Sequence, residues 1–311
     1  MAHATYATRV HAVDGTYELY RAHYSKRPRK VATVDGRDLD VTASVGLAAS
    51  LLALLAEPSE RVTHLVYAFD HTIRSFRNDL YAGYKDDSGV PAELAAQFGL
   101  VERLVASLGV RVLPMIEVEA DDALATVAAS FPDCAVDILS PDKDLAQCLE
   151  GERVRTVDRA RERSTTYADY LDTRGFSPAL VPDFLALVGD PQDGIPGLAG
   201  FGEKTVALLL AAFGPIEQIP DDAGTWPAAI RGKERLANTL ASRREEAALY
   251  KRLATLVRDV PLGLSLGDLE VPSAPAPGFE AAALALGARD LAARADKVFG
   301  ERKTRALRTV T

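Results

Sequence analysis

Through its first two-thirds the chain alternates short runs rich in β-branched and aromatic residues with longer stretches at helical spacing. The short runs are RVHAV (9–13), HLVYAF (64–69), VRVL (110–113), AVDIL (135–139) and VRTV (154–157). Between them Val45, Leu51, Leu52 and Leu55 share a helical face. So do Leu94, Phe98, Val101, Val105 and Leu108, and again Leu124, Val127, Ala128 and Phe131. Parallel strands need a long crossover to return, and a helix in that crossover covers the sheet. The pattern therefore predicts an α/β fold on a mainly parallel sheet. From about Ser177 the strand signal ends. Helical stretches there are joined by Gly/Pro-rich turns, notably GDPQDGIPGLAGFGEKT (189–205). The expected organisation is an α/β core over 1–176, a helical part over 177–270, and a Pro-rich linker (VPSAPAPG) with a last helix and basic tail over 271–311.

Acids fall where this pattern places strand ends. The first run reaches Asp14, the second Asp70, and the fourth Asp142 and Asp144. The third leads into EADD, which sets Glu119, Asp121 and Asp122 at the start of a helix, and Asp190 and Asp193 follow a later apolar helical run. In an open parallel sheet the carboxyl ends of the strands share one edge, where ligands bind. Any one of these acids has an ordinary role as a turn residue or as a complement to a helix dipole. Their coincidence at one edge is what calls for cations. Two unit charges about 4 Å apart repel by roughly 1 kcal/mol in water and about 4 at an effective dielectric of 20. Oxygen donors without His or Cys favour Mg²⁺ or Mn²⁺ over zinc, and the five histidines show no ligand spacing. A pair of such ions suits phosphoryl transfer.

Composition excludes several classes. Hydrophobic residues make up 48% and charged residues 26%, which is globular rather than disordered. No apolar run approaches the roughly 18 residues of a membrane span, so no membrane association is expected. The start lacks a basic region followed by an apolar stretch, and Cys134 and Cys148 make no disulfide framework, so an intracellular protein is expected. The net charge is −8, from 36 basic and 44 acidic residues, which by itself argues against a nucleic-acid partner. Assigning nine acids to one metal site leaves 35 acids against the 36 bases. Two divalent ions would offset four of those nine charges. A nucleic-acid-binding field would then come from local patches such as RAHYSKRPRK (21–30).

Gly197, Gly200 and Gly202 precede Lys204, Thr205 and an apolar helix. The loop resembles a helix–hairpin–helix, in which glycines let a phosphate backbone come close to free N–H groups. It does not fit P-loop spacing. With VDGTYELYRA, FDHTIRSFR followed by YK, VEADD, SPDKDLAQ and DFLALVGDPQDGIPGLAGFGEKT in that order, the chain resembles the 5′-nuclease family. That family comprises flap endonucleases and the 5′→3′ exonuclease domain of bacterial DNA polymerase I. The resemblance runs from about Val10 to Val260.

The resemblance implies a PIN-like core with a helix–three-turn–helix part and a gateway or arch over about 71–100. It implies hydrolysis of DNA at 5′ flaps, nicks and 5′ ends with two or more Mg²⁺ or Mn²⁺ ions, with RNA-primer-containing strands as further candidate partners. A monovalent cation such as K⁺ at the hairpin, a monomer, and a cytoplasmic, nucleoid-associated bacterial setting also follow from it. It assigns the metal acids to Asp14, Asp70, Glu119, Asp121, Asp122, Asp142, Asp144, Asp190 and Asp193. Arg77 and Lys85 become catalytic cations at the gateway base. Tyr20 becomes a base-stacking aromatic, and Arg21, Lys26, Arg27, Gly200, Gly202, Lys204 and Thr205 become DNA contacts. The chain departs from the family at Ser88, where an Arg is usual, at Gly194 for Asn, and at Pro141 for Gly. Asp86 and Asp87 make this stretch a poor phosphate clamp, and Gly83, Gly89 and Pro91 argue against a long arch helix. Two other readings are a branched-DNA-binding protein with weakened catalysis and a haloacid-dehalogenase-type phosphatase. The latter needs an acid two residues after Asp14, where Thr16 stands.

Overall fold

The computed structural model describes residues 6–309. β1 (Arg9–Asp14) runs directly into α1 (Gly15–His23), with the Asp14 carboxylate capping the helix start. A hairpin of β2 (Val31–Val34) and β3 (Arg37–Asp40) follows. Asp35 and Gly36 at its tip have φ of 50° and 75°, the left-handed pair that a tight Asp-Gly turn requires. The hairpin was not expected, although VDGR carries that turn signal. α2 (Thr42–Ala56) leads to β4 (His64–Asp70), and the gateway region holds only short helices, α3 (Arg77–Leu80) and α4 (Ala92–Ala95). α5 (Phe98–Ser107), β5 (Arg111–Met115), α6 (Ala120–Ser130), β6 (Ala135–Leu139), β7 (Val154–Asp158) and β8 (Arg163–Thr165) complete the core.

The main sheet has the order β5-β4-β1-β6-β7-β8, parallel throughout except for the antiparallel edge strand β8. Both faces are covered. Val10, Ala12, Val66, Ala68, Val136 and Ile138 pack with the apolar residues of α6. Val13, Leu65, Tyr67 and Leu139 face the opposite layer, which includes α2 and α5. Strands buried on both faces read as near-continuous apolar runs, which is why the sequence pattern was legible here.

The helical part comprises α7 (Tyr167–Arg174), α8 (Val181–Val188), α9 (Glu203–Phe213), α10 (Lys233–Ser242) and α11 (Arg244–Ala254) around their own core. α12 (Phe279–Ala285) and α13 (Arg289–Thr309) then return to the α/β layer. The sequence suggested a linker with an appended helix. Instead Phe279, Leu291, Ala295, Val298 and Phe299 are buried in the same core as α2. Arg302, in the basic tail, donates to the Leu55 and Val62 carbonyls at 3.3 and 2.7 Å, so it caps the end of α2. The reason is α2 itself: TASVGLAASLLALLA is apolar on nearly every side, and one sheet face cannot cover it. The Arg308 side chain lies outside the described residues. Among the described residues no helix is long and apolar enough to cross a membrane.

The loop from α8 to α9 docks on the segment that follows α3. Gly194 has φ of 74°, and a Cβ built there would lie 2.1 Å from the Gly83 carbonyl oxygen. The Lys85 N–H donates to the Asp193 carbonyl at 3.1 Å beside it. Glycine in place of the family's Asn is thereby explained. Gly194→Ala combines a positive φ with a backbone clash, so a loss of roughly 1–3 kcal/mol is expected. Urea unfolding measures it, and an unchanged midpoint would show that the loop does not dock here.

Candidate active site

The acids meet at the carboxyl edge of the sheet, each held by a different segment. Asp14 pairs in register with Ala68, so Asp14 and Asp70 project on the same face of neighbouring strands. Asp14 Oδ1 accepts the Tyr17 N–H at 2.8 Å and Oδ2 accepts the Ser140 hydroxyl at 2.9 Å. Asp70 Oδ1 accepts the Ala120 N–H at 2.8 Å, and the Asp70 N–H donates to the Thr16 hydroxyl at 2.8 Å. Beyond β6, the Asp142 N–H donates to the Ser140 hydroxyl at 3.1 Å, and Asp142 Oδ1 accepts the Asp144 N–H at 2.8 Å. The α8–α9 loop brings Asp190, whose backbone pairs in both directions with Ile195, and Asp193. Oxygens of Asp144, Asp190 and Asp193 lie within 4.8 Å of one another.

Burial and mutual repulsion raise Asp14, Asp70, Asp121, Asp144 and Asp193. Asp14 is pushed up to about 7, first by burial, with Asp70 and Asp142 adding to it. Asp70 is pushed up to about 6 by burial, with Glu119 adding and Lys85 opposing. Asp121 and Asp144 stand well above the usual carboxylate range, through burial and then through Asp142. Burial also raises Asp193. Asp144 Oδ1 is buried with no hydrogen-bond partner. An orphaned carboxylate oxygen in an all-oxygen cluster is what a hard divalent cation satisfies, so the residues fit such an ion.

Two lysines lie among the acids. Lys143 Nζ is 2.8 Å from Asp190, and Lys85 Nζ is 2.8 Å from Glu119 and 2.9 Å from Asp193. Burial works against the charge on Lys85, yet Glu119 and Asp193 hold it well above the ordinary lysine value.

Three expected roles change. Arg77, taken as a phosphate-steering cation, is 1% exposed. Its five N–H donors are used by Asp122 (twice), Glu119 and the Leu253 and Thr255 carbonyls, at 2.7 to 3.1 Å. It positions the EADD loop rather than facing substrate. Asp122, taken as a metal ligand, is 0% exposed and accepts four bonds, from Arg77 twice and from the Glu119 and Val257 N–H groups. No lone pair is left for an ion. Arg21, taken as a DNA contact, is turned inward to Glu18 and Ser50. Glu119 lies between the two groups: Ser75 and Arg77 fill Oε1, while Tyr84 and Lys85 face Oε2.

Other candidates sit as follows. Lys26 and Arg27 are exposed, and the Arg27 guanidinium lies over Gly46, where a Cβ would stand 2.7 Å from it. Tyr20 is half-buried with its ring 6.5 Å from that of Tyr24, which is 69% exposed. Gly200, Gly202 and Lys204 are exposed at the start of α9 with Thr205 behind them, its N–H used by the Gly202 carbonyl. Ser140, Tyr84 and Lys143 contact the acids, and the sequence did not single them out although each sits inside or beside a quoted motif.

Two family descriptions match the chain: 5′-3′ exonuclease, N-terminal resolvase-like domain, over residues 9–176, and 5′-3′ exonuclease, C-terminal SAM fold, over residues 176–276. DNA polymerase I of Mycobacterium leprae is 33% identical over 258 residues, covering 80% of this chain and 27% of that protein. The chain thus spans about a quarter of that polymerase. A 5′-3′ exonuclease of Aquifex aeolicus is 28% identical over 301 residues, 96% of this chain and 99% of its own. The fold is similar to a bacteriophage T5 flap endonuclease solved with DNA and metal ions. The TM-score is 0.58 at 18% identity, over 94% of this chain and 98% of that one.

The raised carboxyls link metal to stability. In the unfolded chain Asp14 and Asp70 ionise near pH 4, but in the fold only near 7 and 6. Between those limits the folded state binds more protons, so metal-free stability falls as pH rises through the window. Mn²⁺ should therefore raise the melting temperature strongly above about pH 7 and little below about pH 4. Equal shifts at both pH values would contradict this linkage.

Proposed function

The chain belongs to the 5′-3′ exonuclease family, and from that premise we propose that it hydrolyses DNA phosphodiesters at 5′ ends, nicks and 5′ flaps with Mg²⁺ or Mn²⁺. The observation that carries the reading is the convergence of buried, charge-raised carboxylates on one edge, with Asp144 Oδ1 left unpaired. Asp14, Asp70, Asp121 and Asp142 would hold one ion, and Asp144, Asp190 and Asp193 a second. Bound there, the ions would supply an activated water and charge stabilisation for the leaving oxygen.

The chain's own residues do the rest. Lys85, protonated and anchored between Glu119 and Asp193, places a positive charge at the mouth of the site for the developing phosphate charge. Arg77 holds Glu119 and the start of α6 without touching substrate. The exposed N–H groups at Gly200 and Gly202, with Lys204, grip a duplex phosphate away from the cut, with K⁺ as a candidate companion ion. Lys26 and Arg27 add backbone contacts that carry no sequence preference. The exposed ring of Tyr24 beside Tyr20 offers a stacking surface, worth about 1–3 kcal/mol per base. Substrates with RNA primers, a monomeric state and a nucleoid setting belong to the same proposal.

Cleavage of a fluorescent 5′-flap DNA, abolished by chelation and restored by Mg²⁺ or Mn²⁺, tests the reading. Asp144→Asn should lose most turnover while keeping much of the DNA affinity. Tight binding by the unaltered protein with no cleavage in either metal would favour a DNA-binding protein without catalysis. Lys204→Ala should weaken duplex binding and lower the slope of affinity against salt by about one phosphate contact. A slope equal to the parent's would confine Lys204 to the helix start.

A further inference from the structure

A second group of metal-binding residues lies away from the catalytic edge. His11, Glu60 and Asp137 place one ring nitrogen and two carboxylate oxygens within 4.8 Å of one another. His11 stands three residues before Asp14 on β1, opposite Asp137 of β6 in register, so both project on the face away from α6. Glu60 comes from the connection between α2 and β4.

His11 is 0% exposed, and neither ring nitrogen has a hydrogen-bond partner. An imidazole buried without partners is costly and calls for an explanation. Its Nε2 points at both acids, 3.7 Å from Glu60 and 3.9 Å from Asp137, which is too far for hydrogen bonds. Two donors about 2.0–2.2 Å from one tetrahedral ion stand about 3.4 Å apart, so the two separations from His11 need contract only slightly to admit an ion.

We propose that His11 Nε2, Glu60 and Asp137 form a structural site for a borderline transition-metal ion of the Zn²⁺ class, clipping the α2–β4 connection to the sheet. Asp137 Oδ1 accepts from Arg9 and Arg155, and Oδ2 from Arg155 alone at 2.8 Å. The two arginines fix the orientation of the carboxylate while leaving a lone pair of Oδ2 for the ion. Burial holds the imidazole below its ordinary pKa, in the neutral form that ligates metals. Glu60, with its side chain 37% exposed, gives the ion a way in and leaves room for water as a fourth ligand. Imidazole nitrogen selects against Mg²⁺, so this site and the all-oxygen centre differ in metal preference.

The test uses the full chain, stripped with chelator and dialysed against Zn²⁺ in a large excess of Mg²⁺. The unaltered protein should retain one more zinc per chain than Glu60→Gln or His11→Gln, with affinity at that site about tenfold or more above theirs. Its zinc-induced rise in melting temperature should shrink in both variants, while Mg²⁺-supported flap cleavage by Glu60→Gln stays unchanged. Equal zinc retention and equal melting shifts in the unaltered protein and Glu60→Gln would overturn the site. Glu60 is a surface side chain, so that comparison decides even if His11→Gln fails to fold.

Discussion

Repulsion among crowded carboxylates is the constraint on which this molecule turns. Asp14, Asp70, Asp121 and Asp144 cannot all ionise at one sheet edge without counter-charge, and their raised pKa values record the conflict. Lys85 and Lys143 relieve part of it through Glu119, Asp193 and Asp190. The rest of the fold holds the acids in place despite the cost. Ser140 alone ties Asp14 to the Asp142 loop, and Thr16 with Ala120 fixes Asp70 between two strand ends.

The same constraint joins the two halves of the chain. Arg77 spends its guanidinium on the EADD loop and on the carbonyls that end α11, so the helical part and the acid-bearing loop share one buried cation. Gln147 repeats the connection, taking the Leu256 N–H and donating to the Ala254 carbonyl. The proposed grip on DNA at the hairpin would thus be made by a body tied to the acid cluster through hydrogen bonds. Asp193 stands on the hairpin and in the acid cluster alike, which makes the α8–α9 loop a part of both sites.

The acidic net charge is reinterpreted by this arrangement. Nine of the 44 acids were assigned to the metal site, which leaves the remainder nearly balanced against 36 bases. One of the nine, Asp122, is neutralised by Arg77 and faces no ion. Lys26, Arg27 and Lys204 are among the exposed positive charges.

The sequence alone determined the α/β core, the strand ends that carry Asp14, Asp70, Asp142 and Asp144, and the family. These are local signals: buried parallel strands are continuous apolar runs, and strand ends and glycine turns are marked by the residues that form them. The β2–β3 hairpin carried its Asp-Gly signal as well and was overlooked. Only the tertiary structure decided which charges face the site. Arg77, Asp122 and Arg21 occupy motif positions that read as functional, yet each is saturated or turned inward by partners that include residues distant in the chain. Arg77 meets Leu253 and Asp122 meets Val257, pairings that no spacing rule contains. The docking of α13 on α2, and the lone imidazole of His11 between Glu60 and Asp137, were hidden for the same reason. A side chain's partners are set by packing across the whole fold, whereas its position in an element is set by its neighbours in sequence.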